Sequence, residues 1–130
     1  MKRCFVLAAA LLGLAACGGV PCSEHEASAK KSIYFEHNSD VISDRYARQL
    51  DDGLVYIKGH RFKKIQLDSY ADETGTSGYN LNLSRRRASS VRNYMIGKGV
   101  AARRISIRPH GIEPGDPLDE HRRVDVTIVQ

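Results

Sequence analysis

Short stretches of strict alternation constrain this chain most. Ile65 and Leu67 are separated by Gln66, and Val124, Val126 and Ile128 by Asp125 and Thr127. Successive side chains of a strand point to opposite faces, so a strand written this way buries one face and wets the other. Ile33 with Phe35, and Ile105 with Ile107, repeat the pattern. Two segments between them have helical spacing instead. The first, capped by Ser43 and reaching Lys58, lines up Tyr46, Leu50, Leu54 and Ile57, with Gly59 as its C′ residue. The second, residues 79–98, has Ser77 as a possible cap and Gly99 as its stop. Helices are then needed on one face of the sheet only. The predicted fold is an α/β (α+β) two-layer sandwich in the order βαβαββ, with a four-stranded mixed sheet and two helices on one face. Its strands fall at residues 32–35, at 64–70, around Ile105 and Ile107 with Pro109 as terminator, and at 124–128. Residues 111–121 read as a loop punctuated by Pro114, Gly115 and Pro117.

The second helix carries an anomaly. Leu83, Arg87, Val91 and Met95 follow one another every four residues, so an arginine shares a stripe with three core-type side chains. A guanidinium cannot deprotonate, so burial there requires a carboxylate or a wet cleft. Asp72, just before the helix, is the nearest carboxylate with a plausible geometry, because helical side chains tilt toward the N-terminus. An acid and a guanidinium at the mouth of a strand–turn–helix unit could hold a small zwitterion by both ends.

The N-terminus reads as an address. Met1-Lys2-Arg3 precedes an apolar run from Phe5 to Ala16, too short to span a membrane comfortably. The run ends in Leu14-Ala15-Ala16-Cys17, which resembles the bacterial lipobox. That resemblance implies removal of residues 1–16 and acylation of Cys17, with residues 17–31 as a tether and residues 32–130 as the folded domain. Gly18 and Gly19 after the cysteine imply the outer membrane under the sorting rule this pattern resembles. Cys4 lies in the leader, and Cys22 would be left as a lone thiol. Removing Lys2 and Arg3 leaves 18 basic against 15 acidic residues, too mild a surplus to argue for nucleic acid. Asp72 and Glu73 are adjacent and diverge at a strand end, which does not suit paired-carboxylate hydrolysis. His60, His110 and His121 lack metal-ligand spacing, so neither catalysis nor a metal or other cofactor is expected. Arg85, Arg86 and Arg92 lie off the stripe and read as a solvated face, and Tyr34 and Tyr70 as closing the sheet edge.

The ordered series Ala71-Asp72, Gly75, Asn80, Leu83-Ser84, Arg87-Ala88, Val91 and His121-Arg122-Arg123-Val124, with Phe35 and Asn38-Ser39, resembles the OmpA-like domain family. The similarity covers about residues 32–129 and is nearest the peptidoglycan-associated lipoprotein type. It implies non-covalent binding of peptidoglycan through the diaminopimelate residue of its stem peptide. On that resemblance Asp72 would receive the ammonium and Arg87 a carboxylate. Backbone N–H groups at Glu73, Thr74 and Gly75 would take a second carboxylate, Asn80 would orient that turn, and Arg122 or Arg123 would add positive field at the rim. Arg122 falls on the Val124 side of its strand, the covered face. Ala71 stands where the family has threonine, His121 where it has asparagine, and the loop before His121 is short. An adaptor for other envelope proteins, with a degenerate wall pocket, is the alternative. The anchor has a direct test: intact mass of the protein purified from membranes should exceed that of the chain starting at Cys17 by a diacylglyceryl group and an acyl chain. A lipid-free mass would remove it.

Overall fold

The computed structural model describes residues 30–61, 63–71, 75–112 and 121–129. The leader, Cys17 and most of the expected tether lie outside these. Four strands form one sheet: β1 (Lys30–Tyr34), β2 (Lys64–Ala71), β3 (Ile105–Ile112) and β4 (Arg123–Val129). Their spatial order is β1-β4-β2-β3, with β4 antiparallel to both neighbours and β2 parallel to β3. Helix α1 (Asp44–Gly59) joins β1 to β2, and α2 (Ser77–Gly97) joins β2 to β3. A single 3₁₀ turn, Ala102–Arg104, leads into β3. The expected mixed sheet and its βαβαββ order are what the chain adopts.

Alternation decides which face is covered. Ile33, Ile65, Leu67, Val124 and Val126 are buried, and they pack with Leu50, Leu54 and Ile57 of α1 and Val91 and Met95 of α2. Every residue of this core cluster lies between Ile33 and Val126. Each such side chain removed from water contributes about 1.5–3 kcal/mol. Three from α1 therefore outweigh the roughly 1 kcal/mol that Gly53 costs in mid-helix. Tyr46 is only partly buried at the core's margin.

Several boundaries differ from expectation. β1 begins at Lys30, two residues inside the expected tether, because Lys30 and Lys31 pair with Thr127 and Val126 of β4. α1 includes Gly59, and His60 is its C-cap, with its ring Nδ1 2.8 Å from the Tyr56 carbonyl. Ser43 is the N-cap by position, though its hydroxyl makes no capping bond. The working cap of α2 is Thr76 rather than Ser77: its Oγ1 accepts from the Tyr79 amide at 3.2 Å. β3 does not stop at Pro109. A proline lacks the N–H for a ladder, but β3 has only β2 beside it, and an edge strand tolerates the loss. Ser69 pairs with Pro109 and Tyr70 with Gly111, so His110 is an extra residue bulged out of the ladder. Gly111, expected in a loop, is in the strand with φ +73°, where a side chain would be strained.

A Cβ at Gly53 would meet nothing within 4 Å. Gly53→Ala should therefore stabilise the fold by about 0.5–1 kcal/mol, read as a raised midpoint in chemical denaturation. A lowered midpoint would mean that the helix needs the glycine.

Candidate functional site: a buried guanidinium under a helix N-terminus

Strand order brings three segments to one end of the sheet: the loop after β1, the end of β2, and the start of α2. Leu83, Arg87, Val91 and Met95 are all buried, so the stripe read from the sequence is the inner face of α2. Arg87 itself has no exposed surface. Its Nε donates to the Ser39 carbonyl at 2.8 Å, Nη2 to the Glu36 carbonyl at 3.1 Å, and Nη1 to the Tyr70 carbonyl at 3.3 Å. Its Cζ lies 5.4 Å from the centre of the Phe35 ring, a cation–π distance. One side chain thus ties the loop after β1 to the end of β2 and to α2. Asp72, its expected carboxylate partner, lies with Glu73 and Thr74 outside the described residues.

Gly75 has φ +93°, which favours glycine, and it precedes the Thr76 cap. The first turn of α2 contains no acidic side chain, so the positive end of its dipole is not offset from within the helix. Asn80 is fully buried one turn in, and its amide completes the first turn on the Thr76 carbonyl at 3.0 Å. Ser84, also buried, donates to the Leu81 carbonyl and accepts from the Gly111 amide at 3.2 Å. That bond fastens α2 to the end of β3. Ala71 and His121, the two departures from the family pattern, are both fully buried. Neither offers surface to a ligand.

Arg122 and Arg123 part company. Arg122 precedes β4 and donates to the Phe35 carbonyl at 3.3 Å, while its own carbonyl accepts from the Phe35 amide at 2.7 Å. Arg123 is on the uncovered face, with Cζ 4.3 Å from the centre of the Tyr70 ring. His110 stacks on that ring from the β3 side at 4.9 Å, so both flanks of Tyr70 are occupied by protein. Tyr70 belongs to β2, which has β4 and β3 on either side, so it does not close an edge of the sheet; its ring instead links Arg123 to His110.

A second feature depends on partners far apart in the sequence. Asp125 is 2 % exposed although it belongs to the uncovered face. It accepts from the Ser32 hydroxyl at 2.7 Å, and Lys30 Nζ lies 2.9 Å and Arg123 Nε 3.2 Å away. With Arg123 on Tyr70, Tyr70 on His110, and His110 Nε2 2.8 Å from Asp68, a polar belt crosses all four strands. Desolvation alone would push the Asp125 carboxyl up. The Ser32 hydroxyl, the Lys30 ammonium and Arg123 together more than offset this and hold it below the ordinary carboxylate value.

The sequence profile of the OmpA family matches residues 34–125, most of the described domain. The chain belongs to the OmpA family. Among proteins similar to this OmpA-family chain is the peptidoglycan-associated lipoprotein of Buchnera aphidicola, 34% identical over 80 residues, covering 62% of this chain and 46% of that protein. Another is the peptidoglycan-associated lipoprotein of Haemophilus influenzae, 33% identical over 82 residues, covering 63% of this chain and 54% of that protein. The chain therefore spans about half the length of these relatives. The crystal structure of the peptidoglycan-associated lipoprotein from Burkholderia pseudomallei superposes with a TM-score of 0.70 at 30% identity, covering 75% of this chain and 88% of that one.

The depressed Asp125 carboxyl carries a pH signature. Its contribution is present above the unfolded-state value and is lost as pH falls through the lower folded-state value, below about 4. Asp125→Asn should lower the melting temperature at pH 7 and flatten its decline on acidification relative to the parent. Parallel melting curves from pH 7 to pH 2.5 would contradict this.

Proposed function

We propose that this chain binds peptidoglycan without cleaving it, and that acylated Cys17 ties the outer membrane to the cell wall through that contact. The observation that carries the reading is the buried Arg87 cation beneath the N-terminus of α2. Two sources of positive potential meet there, and the α2 turn beside them carries no acid of its own. Such a site suits an anionic group, and a diaminopimelate residue has a carboxylate and an ammonium to offer. Asp72 takes the ammonium. Arg87 favours the carboxylate by the field of a sealed-in cation and by fixing the carbonyls around it. Backbone N–H groups at Thr74 and Gly75 take the second carboxylate, Asn80 holds the turn, and Arg122 and Arg123 add field at the rim. Family membership and the likeness to peptidoglycan-associated lipoproteins support this assignment.

Anchoring and wall binding act together. A tethered domain meets the wall at high effective concentration, so a weak pocket suffices if the tether spans the gap. Pull-down by purified sacculi tests the reading: Arg87→Ala should abolish it. Truncating a buried paired arginine can cost about 3–5 kcal/mol, so circular dichroism must show a folded variant. Asp72→Asn supplies the independent arm. Titration should also favour a diaminopimelate stem peptide over its lysine counterpart by roughly tenfold to a hundredfold, the worth of one charge-assisted hydrogen bond. Full binding by a folded Arg87→Ala protein would favour the envelope-adaptor alternative instead.

A further inference from the structure

The end of the domain opposite the site has its own chemistry. β2 and β3 start there, β4 finishes there, both helices end there, and the chain enters β1 from that side. Residues 58–61, 63–64, 98–99 and 101–104 make its surface, and none of them is acidic. They contribute Lys58, Arg61, Lys63, Lys64, Arg103 and Arg104. A depression of about 380 Å³ is lined by Lys58, Arg61, Arg103 and Arg104, together with Gly99 and Ala101. A second, of about 330 Å³, shares Arg61 and adds His60 and Lys63. Arg104 is structural as well as charged, donating to the carbonyls of Lys63, Ile57 and His60 at 2.9, 3.1 and 2.9 Å. Lys98, at the margin, is engaged by Asp51 at 3.4 Å. Two helix C-termini place roughly one unit of negative charge here in total, against six full positive charges, so the pole is strongly cationic.

We propose that this basic pole docks on the headgroups of an anionic phospholipid surface, leaving the Arg87 site facing the opposite way. The occupant follows from where the chain goes. The chain reaches β1 at this pole, and with the leader removed residues 17–29 precede it. Under the anchored reading they lead to the lipid, so the pole is the part of the domain nearest the membrane. The choice of membrane as partner rests on that reading, whereas the charge complementarity does not. Screening limits such attraction to about 8 Å at physiological salt, so the pole acts only when the tether lets it approach the surface.

The test uses the chain from Gly18 onward, which has neither leader nor acyl group and retains every residue of the core, with folding checked by circular dichroism. Co-sedimentation with vesicles of phosphatidylcholine and phosphatidylglycerol at 3:1 should show binding that is absent with phosphatidylcholine alone and lost in 0.5 M salt. Salt at about 0.5 M shortens the screening length to roughly 4 Å, which removes attraction between surface charges. Lys58→Gln, Arg61→Gln and Arg103→Gln combined should weaken partitioning roughly a hundredfold, from about fivefold per cation. The control combination Arg45→Gln, Arg48→Gln and Arg85→Gln removes equal charge elsewhere and should change it less than about twofold, since potential falls off within a Debye length. Equal loss in both combinations, equal binding to neutral vesicles, or displacement by millimolar inorganic phosphate would each overturn the proposal. Sacculus pull-down by the pole variant should stay normal, so failure here is distinguishable from failure of the wall-binding reading.

Discussion

A fully buried guanidinium has to be matched by acceptors, and Arg87 finds three of them in backbone carbonyls from two distant segments. Burying such a charge unmatched would cost several kcal/mol, so the loop after β1 and the end of β2 cannot drift from α2 without exposing that cost. The carbonyls of Glu36 and Ser39 face this cation, and the Tyr70 carbonyl ends its strand against it. The site is thus not an addition to the fold. The same ionic contact that closes the top of the sandwich places positive charge beneath the opening of α2.

Patterns carried within one element are legible in the sequence. The stripe Leu83, Arg87, Val91 and Met95 lies within one helix, so spacing alone exposed it, and the same holds for the alternating strands. Information that depends on distant partners was not legible. Arg87 bonds to carbonyls 48 and 51 residues away, and a carbonyl leaves no mark in the sequence. Asp125 looked like an ordinary wet-face residue because Ser32, its hydrogen-bond donor, is 93 residues earlier. Pro109 reads as a stop because proline's cost depends on whether a strand is central or at an edge, and strand order is a property of the whole sheet. Thr76 and Ser77 are equally good caps by type, and backbone geometry chooses between them.

The uncovered face shows how a sheet with helices on one side only keeps its other side ordered. A lone aspartate between Val124 and Val126 would be an expense with nothing gained. Ringed by Ser32, Lys30 and Arg123 it becomes a crosslink between β1 and β4, and Arg123 extends that link to Tyr70 of β2. Through Arg123 the belt thus joins three strands, β1, β4 and β2, on the face that no helix covers.

The two margins of the sheet carry a further consequence. β1, at one margin, begins with two lysines, and β3, at the other, carries a proline followed by the His110 bulge. Charged or broken margins repel or misfit a foreign strand. An unguarded margin would recruit a second copy and propagate a continuous ribbon. Here an approaching strand meets cations at one margin and a missing amide at the other, which disfavours such growth.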